Sequence, residues 1–410
     1  MVGMFEFAPE EFIVEEITKE GLVLELDKQI EKEGDGNLEK DYFTHFILQK
    51  REWNTLQALS AISRALHIGA KRLNFAGTKD RNAITTQLCS AFAVPSEKIL
   101  SLKIKDIQIN GAWKEKEKVR LGDLLGNRFT ITLSKENCGK NVEAEKIKKN
   151  ASKNNYCIPN YFGQQRFGSM RGNSHLIGKL MLQGKYEEAV LNFLCFPGDD
   201  KLGAEARKQL EKEKDFAAAL GYFPRHLKYE RTILGQLAKN PRDFIGAFRK
   251  LPRTLQLIFI HAFQSFLFNE LLKKRVEEKR LFVGAIGDFY CNSDSYGFPE
   301  IDSAKAIEDY AEATAVNERI QSGSCFLAGH LIGYETDLTQ DEAFLLEREG
   351  IEKEAFRLKS MPELHSKGSL RPLFVPLKDF AVLFPSPVKI GFSLPSGSYA
   401  TVAIEELKVI

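Results

Sequence analysis

Hydrophobic and polar positions along this chain switch between two periods. Alternation at period two marks half-buried strands. Phe12 and Val14 share one face of an early stretch with acids opposite, which taken alone is an edge strand with a buried phenylalanine. Tyr42 to Lys50 is strand-like, and Leu73 and Phe75 alternate with polar neighbours. Further strand-like runs are Ile84 to Val94, the set Phe129, Ile131 and Leu133, Gly323 to Glu335, Leu373 to Leu377, and Asp379 to Leu383. The helical period appears in Asn54 to His67, where Leu56, Leu59, Ile62 and Leu66 form a stripe, Asn54 is a cap and Gly69 a stop. Glu143 to Asn155 is a Lys-rich helix, and Leu255 to Glu278 is the longest helical pattern. Shorter helices are expected over Leu176 to Leu182, Tyr186 to Phe193 and Asp243 to Leu251. Residues 31–41 and 198–214 are charged and exposed in this reading, Lys114 to Arg120 is a solvated hairpin, and Gly126-Asn127 is a turn signal.

One turn carries candidate chemistry. Gly77 breaks a strand, and Thr78-Lys79-Asp80-Arg81-Asn82 is a polar loop before the next one. Asp80 is at the loop tip between two cations, Lys79 and Arg81, and neighbouring positive charge favours the ionised carboxylate. Local pattern alone describes a hairpin with a solvated turn.

Composition narrows the class. A chain of 410 residues holds two or three domains. A net charge of +2 is too small to announce a nucleic-acid binder, so any basic surface is local. The six cysteines have no Cys-x-x-Cys spacing and do not cluster with the seven histidines, which argues against a structural metal site. Dispersed thiols fit a reducing cytoplasm. With no cationic, apolar leader and no apolar run long enough to span a bilayer, the expectation is a soluble cytoplasmic protein with no membrane contact.

The spacing Gly77, Lys79, Asp80, Ala83, Thr85, Gln87 closely resembles the signature of the TruD family of tRNA pseudouridine synthases, whose aspartate is catalytic. Further matches follow in the family's order: Pro9-Glu10-Glu11-Phe12-Ile13-Val14, Gly126-Asn127-Arg128-Phe129, Asn160-Tyr161-Phe162-Gly163-Gln164-Gln165-Arg166-Phe167-Gly168, His261 to Asn269, and Leu394-Pro395-Ser396-Gly397-Ser398-Tyr399-Ala400-Thr401. The resemblance implies an α+β fold: a discontinuous catalytic domain, residues 1–158 and 367–410, with a mixed or antiparallel sheet, and an inserted α/β domain, 159–366. It implies Asp80 as catalytic residue and Phe12, Lys79, Asn127, Phe129 and Tyr399 around the substrate. Where some relatives have a supporting Lys, this chain has Glu6, so the cation that supports Asp80 is either Lys79 or a residue the sequence does not identify. The implied reaction isomerises uridine to pseudouridine in tRNA, at uridine 13 of the D-arm in relatives, with no cofactor and no metal. Phosphate contacts are expected from Lys273, Lys274 and Arg275. A silent tRNA-binding protein or RNA chaperone on the same fold is the alternative. A glycoside-cleaving enzyme is disfavoured, because it needs a second carboxylate matched to Asp80.

Overall fold

Most of the alternating segments form strands of one sheet. The computed structural model describes residues 7–34, 41–139, 141–168, 171–198 and 201–407. In it, β1 (Phe12–Thr18), β2 (Phe43–Arg51), β3 (Leu73–Phe75), β4 (Ile84–Phe92), β5 (Ile107–Glu115) and β6 (Leu124–Leu133) join the strands Lys378–Pro385 and Val388–Pro395. Among the described residues they make an eight-stranded sheet. Its order is Lys378–Pro385, Val388–Pro395, β6, β1, β4, β2, β5, with β3 beside β4. β1 and β4 run parallel, and their neighbours pair antiparallel. The fold is therefore α+β with a mixed sheet.

Several local expectations are corrected. β1 is a central strand, paired on both sides, and its acids Glu15 and Glu16 are buried. Gly126 and Asn127 lie within β6. The glycine serves close approach, since a Cβ there would stand 2.1 Å from the Leu394 carbonyl oxygen of the neighbouring strand. α1 (Thr55–Ala65) has the expected Asn54 cap, which accepts a bond from Gln57 N at 2.8 Å, but Leu56 is exposed. The last of the matched motifs leads into a helix, Ala400–Glu406. Lys201–Glu213 is also a helix, with Ala206, Arg207 and Leu210 buried.

The residues form two compact units: Met1–Ile158 with Ser293–Pro299 and Val375–Ile410, and Pro159–Asn292 with Glu300–Phe374. The return expected at residue 367 comes later, because Ser369–Pro372 pairs with Cys325–Leu331 in the second unit's own sheet. The heptapeptide Ser293–Pro299 has no signal in the sequence. The second unit is built on the helix Arg253–Glu277, which packs against Ser174–Leu182 so closely that a Cβ on Gly178 would meet the Phe259 carbonyl oxygen at 2.0 Å. Contrary to the sequence reading, this long helix has the length and hydropathy of a membrane span, but 56% of that window is buried inside the protein. Its Gln264 and Asn269 hold backbone: Gln264 Nε2 donates to the Ile332 carbonyl at 2.7 Å, and Asn269 brackets the Phe162 amide and carbonyl. Its basic end is already paired. Lys274 meets Asp341 at 2.7 Å, and Arg275 is clasped by Asp288 at 2.6 Å, so these charges are largely engaged within the protein.

Gly126→Ala should lower stability by about 1–3 kcal/mol through overpacking against the Leu394 carbonyl. A urea midpoint equal to that of the parent would show that the two strands can separate freely.

Candidate active site

The loop around Asp80 is held from three directions. Thr55, the first residue of α1, accepts a bond from Lys79 N at 2.9 Å and donates its own hydroxyl to Gln87 Oε1 at 2.9 Å. Gln87 Nε2 returns to the Gly77 carbonyl at 3.1 Å. A helix start and a neighbouring strand thus fix both ends of Gly77–Lys79 through one continuous relay of hydrogen bonds.

Beneath the loop lie two buried lysines. The Lys79 side chain turns inward, 4% exposed, and its Nζ meets Glu16 Oε2 at 2.5 Å, with the Glu16 side chain fully buried. Glu16 Oε1 accepts Leu88 N at 2.9 Å. Burial pushes the Glu16 carboxyl up from the usual range, and the Lys79 ammonium pulls it back. Lys50, 1% exposed at the end of β2, donates to the carbonyls of Trp53 at 2.5 Å, Asp80 at 3.0 Å and Lys79 at 3.4 Å. Burial lowers its pKa to about 8, and the Asp80 charge works against that shift.

Asp80 itself is exposed. Its flanking cations, read from the sequence, predict a carboxyl held low. Instead, the protein packed behind it raises its pKa, opposed by Lys50 first and Lys79 second. Arg81 is turned to a different cavity. Glu6 lies outside the described residues.

The remaining predicted residues come to the same part of the sheet in differing degrees. Phe12 and Phe129 are buried with ring centroids 6.1 Å apart, in one apolar cluster with Ala83, Leu394 and Ala400. Phe129 also meets Phe392 at 5.6 Å. Asn127 lies opposite Glu16 in the β1–β6 register, and its Oδ1 is buried with no hydrogen-bond partner among the described residues. Tyr399 is half-buried at the start of the C-terminal helix, after a turn in which Gly397 has φ +81° and Ser396 N bonds to the Leu125 carbonyl at 2.8 Å.

Lys50, Glu16 and Thr55 escape the sequence reading, although two of them carry a signal. The inward face of β2 runs Thr44, Phe46, Leu48, Lys50, and that of β1 runs Phe12, Val14, Glu16. Period two alone places both charges inside. An ionisable residue on an apolar strand face is then a candidate for a paired site.

Two outcomes follow from these burials. Lys79→Met leaves Glu16 buried without its cation and should cost about 3–5 kcal/mol. Adding Glu16→Leu should recover much of the loss, and a double-mutant cycle by urea unfolding that finds strict additivity would contradict the pairing. Lys50 keeps its proton in the unfolded chain to about pH 10.5 but releases it in the folded protein near pH 8. Its stability contribution is therefore present above pH 10.5 and lost as pH falls through about 8. Relative to Lys50→Met, the parent should gain stability between about pH 8 and 10, seen as a midpoint difference that varies with pH.

Comparison with known proteins gives this geometry its context. The family model for tRNA pseudouridine synthase D (TruD) matches residues 1–407. A Methanosarcina barkeri relative named "Probable tRNA pseudouridine synthase D" is 33% identical over 98% of this chain and 92% of its own length. A Pyrococcus abyssi relative with the same name is 34% identical over 99% and 96%. A crystal structure from Methanosarcina mazei, described as a "Putative tRNA pseudouridine synthase D (TruD)", superposes with a TM-score of 0.77 at 32% identity, covering 100% of this chain and 94% of that one. Over nearly its whole length, and with the sheet that carries the Asp80 loop, this chain belongs to the tRNA pseudouridine synthase D (TruD) family.

Proposed function

We propose that this chain isomerises uridine to pseudouridine in tRNA and that Asp80 is its reacting group. The observation that carries the reading is a carboxylate exposed at the tip of a loop whose backbone is immobilised by two buried lysines. A rigid, accessible carboxylate suits attack or proton removal at a sugar carbon, because little ordering remains to be done at the moment of reaction.

In the proposed reaction the N1–C1′ bond breaks, the uracil turns while bound, and C5 joins C1′. The base loses the proton on C5 and gains one on N1. Substrate and product are isomers, so the balance closes with no cofactor. Asp80 acts either as nucleophile at C1′ or as base toward the C2′ proton, and both roles need its charged form. Lys50 and Lys79 favour that form against the burial that opposes it. The target uridine leaves its stack to reach the loop. Phe12 and Phe129 then form the apolar floor beside Ala83, and Asn127 and Tyr399 are proposed to stand beside the bound base. Lys50 is a positioning residue that acts through the carbonyls of Asp80 and Lys79. Uridine 13 of the D-arm, the position implied by the family resemblance, is the proposed target.

Asp80→Asn keeps the size and turn preference of the residue and removes its charge. It should abolish pseudouridine formation in single-turnover assays on a tRNA transcript, with affinity for the tRNA retained. Chemical mapping of the product reports the modified position at the same time. Near-normal conversion by the Asn variant would sink the assignment of this loop.

A further inference from the structure

Beside the Asp80 loop lies a second cavity, of about 400 Å³, that the proposed chemistry does not use. Glu52, Trp53, Gln57, Ser60, Arg64 and Arg81 line it. Its volume is within the range of ligand sites, about 300–1,000 Å³. We infer that this cavity is a subsite for an unpaired nucleotide neighbouring the target in the RNA, its base stacked on Trp53 and its phosphate held by Arg64 and Arg81. The inference rests on the reading above that the chain acts on RNA.

Three features favour a nucleotide. The Trp53 indole is half-buried, rooted against the apolar cluster under α1, and its ring N–H has no partner among the described residues. A rigid, half-exposed indole is a stacking platform that accepts any base. Arg81 is exposed and its side chain forms no hydrogen bond or ion pair among the described residues, and the Arg64 guanidinium commits only its Nε, to the Ser60 carbonyl at 3.3 Å. The acid at the rim, Glu52, is already opposed by Arg51 at 3.9 Å. Two guanidiniums with free forks beside an aromatic face match a phosphate and its base. A small apolar ligand would find too few apolar walls here.

The location matters as much as the lining. Lys50 Nζ bonds to the Trp53 carbonyl and the Asp80 carbonyl together, so one ammonium fixes both the platform and the reacting loop. Arg81 directly follows Asp80 in the chain. A target nucleotide at Asp80 therefore has its neighbour within reach of the cavity, and the subsite would select RNA in which both nucleotides are unpaired.

Tryptophan fluorescence tests this directly, because the chain has two tryptophans. Trp113 is 6% exposed with its ring N–H bonded to Glu115 at 3.1 Å, so it should not sense the RNA. In Trp113→Phe, saturating tRNA transcript should quench the remaining indole, and a fully paired RNA hairpin should not. In Trp53→Phe the quench should vanish while tRNA still binds. Arg64→Gln with Arg81→Gln should weaken tRNA binding roughly tenfold and flatten the salt slope by about 0.7 for each single-strand phosphate no longer neutralised. Conversion of the transcript by the parent protein is measured in parallel. No conversion by the parent would sink the functional reading. Conversion with no Trp53 quench, and with unchanged affinity in the double arginine variant, would overturn the subsite alone.

Discussion

The ion pair between Lys79 and Glu16 is the constraint on which the site depends. Lys79 and Asp80 are neighbours in the chain, so drawing the lysine side chain into the sheet turns the aspartate out of it. Glu16 is held by a strand amide as well as by the lysine, and so cannot follow the loop outward. A buried pair of this kind contributes little net stability, because desolvation offsets most of the attraction. What it supplies here is a single orientation. A loop that slipped by one residue would place Asp80 inside, facing Glu16, with two carboxyls in one dry space.

Lys50 complements this arrangement from the opposite side. Among the described residues it neutralises no acid by direct contact but gathers three carbonyl oxygens that converge on its ammonium. Carbonyls converging in a low-dielectric region repel one another unless a donor lies between them. The ammonium fills that place and projects its charge toward Asp80. The chain tolerates a costly buried cation where an apolar residue would pack more easily, as expected of a residue kept for its field.

Much of this architecture is legible in the sequence, and the failures have physical causes. Strands with clean alternation, such as the Phe129, Ile131 and Leu133 part of β6, and helices with caps, such as the one after Asn54, follow from local chemistry. Gly126-Asn127 reads as a turn because a glycine needed for close approach has the same letter as one needed for a bend. The paired acids of β1 read as solvent-facing when charge is weighed above period, although period alone is right for Glu16. The basic end of the long helix reads as free because Asp288 and Asp341 lie elsewhere in the chain. Arg81 stands beside Asp80 in the sequence, yet it faces a different cavity. Apart from Glu16, which the strand period does place inside, these contacts are made by side chains or strands outside the local window, and a local pattern has no term for them.

The strand Val388–Pro395 covers β6 along its length, from Val388 opposite Leu133 to Pro395 opposite Gly126, and the helix after it adds Ala400 and Ile404 to the cluster around Phe129. Proteins are made from the N-terminus, a few residues each second. While the ribosome builds the residues between Leu133 and Val388, β6 is therefore an open edge, and Phe129, Ile131 and Leu133 have only the part of their cluster supplied by the earlier residues and by Cys138, Ile147, Ala151 and Ile158. Open apolar edges invite pairing with other chains. The newborn protein thus passes through an interval in which the sheet is unfinished and adhesive. The proposed site is therefore complete only after this late strand has paired with β6.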